Sequence, residues 1–241
     1  MLECDLHSHT IFSHCGVHTA IEMLNYAKSK GVKALAITDH GSAVGGRVNS
    51  VFWERLNNPV DGILLLKGLE SNVVNEEGEI DFPFRYLKYA DVILLGLHNN
   101  LPSSLDTKTY TKYLVNAIEK NKYLIDIISH PADEVYKIEF LPVVLTAKKF
   151  GIALELSNTK LMYNRISIER IKEYLNLCIE NEVPIALSSD AHTVNEVGTD
   201  NFILPILKEL NFPENLIINS SLEKALKFLS ERKKLKTLND M

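Results

Sequence analysis

Short strand-like runs recur along this chain, at Leu2 to Leu6, Ala34 to Ile37, Ile63 to Leu66, Val92 to Leu97, Leu124 to Ile128, Ile152 to Leu156 and Pro184 to Leu187, and Ala34 to Ile37 and Ile63 to Leu66 are apolar throughout. Runs of this length without alternation are the pattern of strands buried on both faces, as in a parallel sheet. Helical spacing fills the intervals. Thr19 followed three residues later by Glu22 has the spacing of a capping box, and Ile21, Leu24 and Ala27 make an apolar stripe that ends at Gly31. Similar spacing predicts helices over 110–118, 138–150, 202–210 and 222–229, and Ser167 stands as a cap before Ile168, Ile171, Leu175 and Leu177. Two stretches break the alternation. Residues 42–58 show no period, although Val51, Phe52 and Trp53 suggest a partly buried turn or helix, and the polar 75–81, around Gly78, reads as a hairpin or an excursion from the alternation. The charged stretch 231–236 reads as a solvated end.

Seven strand-like runs, spaced by about 30 residues and alternating with helices, are the layout of successive βα units. No linker or internal repeat divides the chain, so its 241 residues read as one α/β domain, 1–241, of a size that barrels commonly reach. The formal net charge of -5 argues against a partner such as long nucleic acid held by bulk charge. Three cysteines, Cys4, Cys15 and Cys178, suit a reducing compartment better than a disulfide framework. The N-terminus enters a strand with no leader pattern, and no apolar run approaches the roughly 18 residues of a membrane span. The expectation is a soluble, cytoplasmic protein without a membrane partner, and a homo-oligomer is compatible with it.

The polar residues at the strand ends change this picture most. The first run leads into Asp5-Leu6-His7-Ser8-His9, and in an extended segment residues two apart project to the same side, so both imidazoles can reach one cation. The second run stops at Thr38-Asp39-His40-Gly41, and the third leads through Gly68 and Leu69 to Glu70. The fourth ends at His98, the fifth at Ser129-His130-Pro131, and the seventh at Ser188-Ser189-Asp190-Ala191-His192, while the sixth offers Asn158. Singly, each histidine reads equally well as a structural residue bonding loop backbone. Structural histidines would also fall on helix surfaces, yet all eight lie at these ends or in the loop after the first strand. If the strands close into a barrel, their carboxyl ends share the face where such folds keep their sites, and the ligands meet. Imidazoles with a few carboxylates suit zinc, manganese or iron, whereas magnesium and calcium prefer an all-oxygen shell.

The set His7-Ser8-His9, Thr38-Asp39-His40-Gly41, Glu70, His98, His130-Pro131 and Ser189-Asp190-Ala191-His192 resembles the PHP (polymerase and histidinol phosphatase) family of metal-dependent phosphoesterases. It looks nearest to the stand-alone bacterial YcdX-like branch, and the resemblance runs from Asp5 to the region of Asn219. It implies a distorted (β/α)7 barrel with three divalent metal ions, zinc, manganese or iron. Carried over residue by residue, His7, His9, Glu70 and Asp190 would hold the first ion, and Glu70 would bridge to a second completed by His98 and His130. The third would use His40, His192 and a histidine from the loop after the first strand. Here the chain departs from its relatives, some of which have that histidine six residues after the second of the opening pair, where this chain has Cys15. His14 fits another spacing of the family and is preferred, with His18 and Cys15 as alternatives. Cys15 also reads as a small buried residue. Glu70, Asp190 and His192 are the expected catalytic side chains, and the implied reaction is attack of a metal-bound hydroxide on the phosphorus of a small phosphate monoester.

Arg165, after the sixth strand, could fork two bonds to a substrate phosphate, although a solvated loop arginine is an equal reading. Lys160 and Arg47 are weaker cases, and Asp39 suits a group that orients His40 or a strand-end amide. Two other activities stay open: histidinol-phosphate phosphatase, and nucleotide phosphodiesterase or 3'-5' exonuclease. The negative charge and the lack of a basic or aromatic stripe weigh against the second. A purely structural zinc role fits poorly, since such sites are closed and four-coordinate.

Overall fold

The computed structural model describes residues 1–239. Within them the chain opens with β1 (Cys4–Asp5), α1 (Ala20–Ser29), β2 (Ala34–Ile37), α2 (Ser50–Arg55) and β3 (Leu64–Asn72). It continues through β4 (Val92–Gly96), α3 (Thr107–Lys120), β5 (Ile127–Ile128), α4 (Phe140–Phe150), β6 (Ala153–Ser157) and α5 (Asn158–Met162). The last elements are α6 (Ile168–Glu180), β7 (Ile185–Ser188), α7 (Leu204–Glu209) and α8 (Leu222–Asn239). The seven strands form one parallel sheet in chain order, β1 to β7, and the sheet curls into a nearly closed (β/α)7 barrel.

The barrel is shut at its carboxyl rim. Ser8 bridges Ala191, His9 N donates to Ala191 O at 2.8 Å, and the buried Asp5 carboxylate accepts from Ser189 N at 3.0 Å and Gly198 N at 2.8 Å. Alternation decides what fills the interior. Ala34 and Ala36 of β2 face the lumen with Cys4, Leu66, Val92, Leu94, Ile127, Ala153 and Ala186, whereas Leu35 and Ile37 face outward onto α1. Small residues on β1, β2, β6 and β7 opposite larger ones on β3 to β5 fill this inner layer. One step further along the same inward-facing positions, the apolar layer gives way to Glu70 on β3 and Glu155 on β6, both buried.

The helices match the expected stripes with instructive shifts. Thr19 and Glu22 make the capping box, and the buried face of α1 is Ala20, Met23, Leu24 and Ala27, with Ile21 left 41% exposed. Ser167 occupies the cap position of α6 without a side-chain hydrogen bond, and the helix buries Ile171, Tyr174, Leu175 and Cys178. The segment without a period contains α2, capped by the Asn49 side chain and burying Phe52 and Trp53. The hairpin expectation holds at the bridge between Val73 and Ile80.

The end of the chain corrects the sequence reading. The charged stretch 231–236 is helical and belongs to α8, which places Ala225 and Leu229 against the lumen layer. Arg232 and Lys236 are buried, and both pair with the buried Asp126, Arg232 Nε at 3.4 Å. Arg232 also donates to the carbonyls of Phe150 and Lys122, at 2.7 and 2.8 Å, and of Ile125. A period count does not find this, because the two cations sit where the helix meets a buried carboxylate rather than an apolar surface.

Candidate metal centre

At the carboxyl rim the strand-end residues converge on Glu70. Its Oε2 lies 3.3 Å from His7 Nε2, 3.5 Å from His9 Nε2 and 3.0 Å from His40 Nδ1. Its Oε1 lies 3.1 Å from His98 Nε2 and 2.9 Å from His130 Nε2. Asp190 Oδ1 stands 3.2 Å from His9 Nε2 and 3.6 Å from His7 Nε2, and those two nitrogens are 3.0 Å apart. The close approach needs room, which Gly96 on β4 supplies: a Cβ there would lie 2.4 Å from Ser129 Oγ, 2.6 Å from His98 Cε1 and 3.2 Å from Glu70 Oε1. His130 and Asp190 hold φ values of 32° and 53°, a left-handed conformation that few residues with a Cβ adopt and that turns each side chain inward as its strand ends.

The electrostatics are those of a site awaiting positive charge. Both Glu70 oxygens are buried without a hydrogen-bond partner, as are both ring nitrogens of His98 and Nδ1 of His40. An isolated buried carboxylate is costly. Burial opposes ionisation of Glu70, but His98, His7 and His40 hold its carboxyl well below the usual range. Burial likewise works against a proton on His7, yet Glu155, Glu70 and Asp190 raise it well above the ordinary histidine value, while at His98 burial outweighs the opposing pull of Glu70 and takes it down to about 4. Among the described residues, three groups bring their donor atoms within 4.8 Å of one another: His7, His9 and Asp190; His40, Glu70 and His98; and His9, Cys15, His40 and His192. Orphaned carboxylate oxygens amid buried imidazole nitrogens fit divalent cations.

Other expected residues fall less evenly. His14 is exposed, with its ring 6.0 Å from that of His40, and belongs to none of the three groups, whereas Cys15 does. His18 is half-buried, and its Nδ1 has no hydrogen-bond partner. Asp39 accepts from Thr10 N at 2.7 Å, Ser13 N at 3.1 Å and Ser13 Oγ at 2.7 Å, so it ties down the loop after β1, and Ser13 Oγ in turn accepts from His40 N at 2.9 Å. Asn158 stands apart from the centre, holding Thr199 and Phe202 of the segment after β7. Lys160 and Arg165 line the cleft above the histidines, where Asp133 Oδ2 meets Lys160 Nζ at 3.7 Å and Arg165 Nη2 at 3.4 Å, and Lys160 Nζ also reaches Asp190 Oδ2 at 3.3 Å.

The sequence reading passed over Glu155. Its Oε1 meets His7 Nδ1 at 2.6 Å and accepts from Ser188 Oγ, and its Oε2 accepts from His130 N at 2.6 Å. It therefore orients one imidazole and one strand end from behind. The signal was a lone acidic residue inside the apolar strand Ala153–Ser157.

Comparisons with known proteins follow the same lines. A family model described as PHP domain matches residues 5–150. A protein of Caldanaerobacter subterraneus subsp. tengcongensis named a probable phosphatase is 36% identical over 238 residues, covering 97% of this chain and 93% of its own. One of the same name from Proteus mirabilis is 35% identical over 235 residues, covering 95% and 94%. Among solved structures, histidinol phosphate phosphatase of Lactococcus lactis subsp. lactis, complexed with zinc, L-histidinol and phosphate, superposes with a TM-score of 0.60 at 15% identity, over 95% of this chain and 93% of that one.

Proposed function

The chain belongs to the PHP domain family and is a phosphoesterase of that family, and on this premise we propose that it hydrolyses small phosphate monoesters at a centre of three divalent cations. The observation that carries the reading is Glu70, a fully buried carboxylate with no hydrogen bond to either oxygen and imidazoles on both sides. His7, His9 and Asp190 would hold one ion on the Oε2 side, His98 and His130 a second on the Oε1 side, and His40 with His192 a third. Zinc, manganese and iron suit these donors. Such ions, when bound, supply Lewis acidity and make water a better nucleophile at neutral pH.

The chain's own residues do the rest. Burial opposes charge on Lys160, but Asp190 and Asp133 raise its pKa and keep it an ammonium beside the centre. With Arg165 it presents two cations to a cleft of about 240 Å³ that His14, His98, His130, Tyr136 and His192 also line. Arg165, half exposed and held by Asp133, can turn its fork onto phosphate oxygens. A terminal phosphate has charge enough to engage both cations and the centre together, whereas a diester has less. Metal-loaded protein offered a panel of phosphate esters, histidinol phosphate and nucleotides included, is expected to release phosphate from small monoesters. Absence of turnover with the ions shown to be bound would end the proposal, and processive degradation of single-stranded DNA would replace it.

A further inference from the structure

We propose that Cys15 supplies a thiolate ligand to the third cation, giving that position a preference for zinc over manganese. This rests on the reading of the rim as a metal centre, but not on which ester is cleaved. Cys15, His40 and His192 bring their donors within 4.8 Å of one another. His9 shares that group, yet its Nε2 lies 3.0 Å from His7 Nε2 and 3.2 Å from Asp190 Oδ1, and its Nδ1 lies 3.2 Å from Ser13 Oγ. An imidazole nitrogen has one lone pair, so His9 is committed to the first ion. What remains is one sulfur, two imidazoles and an open position, the three-ligand arrangement of catalytic zinc.

A second observation points to a ligand here. His40 is buried, and no protein hydrogen bond saturates its Nδ1, which stands 3.0 Å from Glu70 Oε2, so this imidazole adjoins both the thiol and the buried carboxylate. The neighbouring histidines do not compete for the place: His14 is exposed and outside the donor group, and His18 is likewise outside it. Cys4 and Cys178 are buried and belong to none of the donor groups, whereas the half-buried Cys15 does. A soft thiolate selects zinc and its kin and suits manganese poorly.

Chelator-stripped protein titrated with cobalt(II) tests the assignment without substrate. The expected result is a thiolate-to-cobalt charge-transfer band in the near ultraviolet that saturates at one ion per chain, disappears in Cys15→Ser and persists in His14→Ala. Visible cobalt bands without that charge-transfer band, or a band that survives Cys15→Ser, would overturn it. Metal content after equilibration with zinc and excess manganese gives the selectivity. Wild type should retain one zinc per chain that Cys15→His exchanges at least about tenfold more readily. Equal retention in the two proteins would remove the preference. An inactive protein that shows the band sinks the phosphatase reading alone, and an active one without it sinks the ligand assignment alone.

Discussion

Both oxygens of Glu155 are committed, one to His7 Nδ1 and Ser188, the other to His130 N, so this strand carboxylate sets the direction of two rim residues at once. Glu155→Gln keeps the shape but replaces the charged acceptor, and metal affinity or turnover should fall by about 10–100-fold with the fold intact. Unchanged cation affinity by calorimetry would contradict that role. His9→Ala or Asp190→Ala should abolish turnover and leave the circular dichroism spectrum close to wild type. The ion-free imidazoles also set a pH dependence. For His40, burial is outweighed by Glu70, which raises it to about 10, and His7 is raised well above its ordinary value. Each holds a proton at neutral pH that ligation must expel, so cation affinity should rise as pH rises through neutrality toward the His40 value. Titrations in buffers of different ionisation enthalpy would reveal the released protons. Most of these residues were legible because strand ends are easy to place and barrels gather them. Glu155 was not, since it lies inside a strand, and the choice between His14 and Cys15 was not, since spacing along an irregular loop does not say which side chain turns inward.

The elements were legible in proportion to how far their own chemistry specifies them. β2 and α1 match because a four-residue apolar run and a capping box are local signals. β5 pairs over only Ile127–Ile128 although apolar residues begin at Leu124, since pairing is decided by neighbours rather than by hydrophobicity. Two predictions belong here. Thr19→Ala removes the side-chain half of the α1 capping box, leaving the residue 19 N–H bonded to Glu22, and should cost about 1 kcal/mol, read from a denaturation midpoint. In the loop that carries His40, a Cβ at Gly46 would stand 1.7 Å from His40 O, backbone that cannot swing aside. Gly46→Ala should therefore destabilise by about 1–3 kcal/mol and lower cation affinity as well. A variant that is less stable but binds cations normally would show that the strain is absorbed elsewhere.

At the scale of the whole molecule, polar chemistry closes the barrel at both ends. Below, α8 brings Arg232 and Lys236 to Asp126, whose Oδ2 also accepts from Ile93 N at 2.8 Å. Arg232→Ala leaves a buried carboxylate short of a partner and should cost about 3–5 kcal/mol, with rim chemistry unchanged below the melting transition. A loss below about 1 kcal/mol, as for an exposed pair, would show that the contact is solvated. Above, β1 meets β7 through Ser8, Asp5 and Ala191. That seam joins segments almost the full length of the polypeptide apart, and such distant pairing forms slowly compared with neighbouring helices. On the proposed assignment, the first and third cations draw ligands from both sides of this seam and would bind only once the ring has shut, whereas Glu70, His98 and His130 come from consecutive strands and could gather earlier.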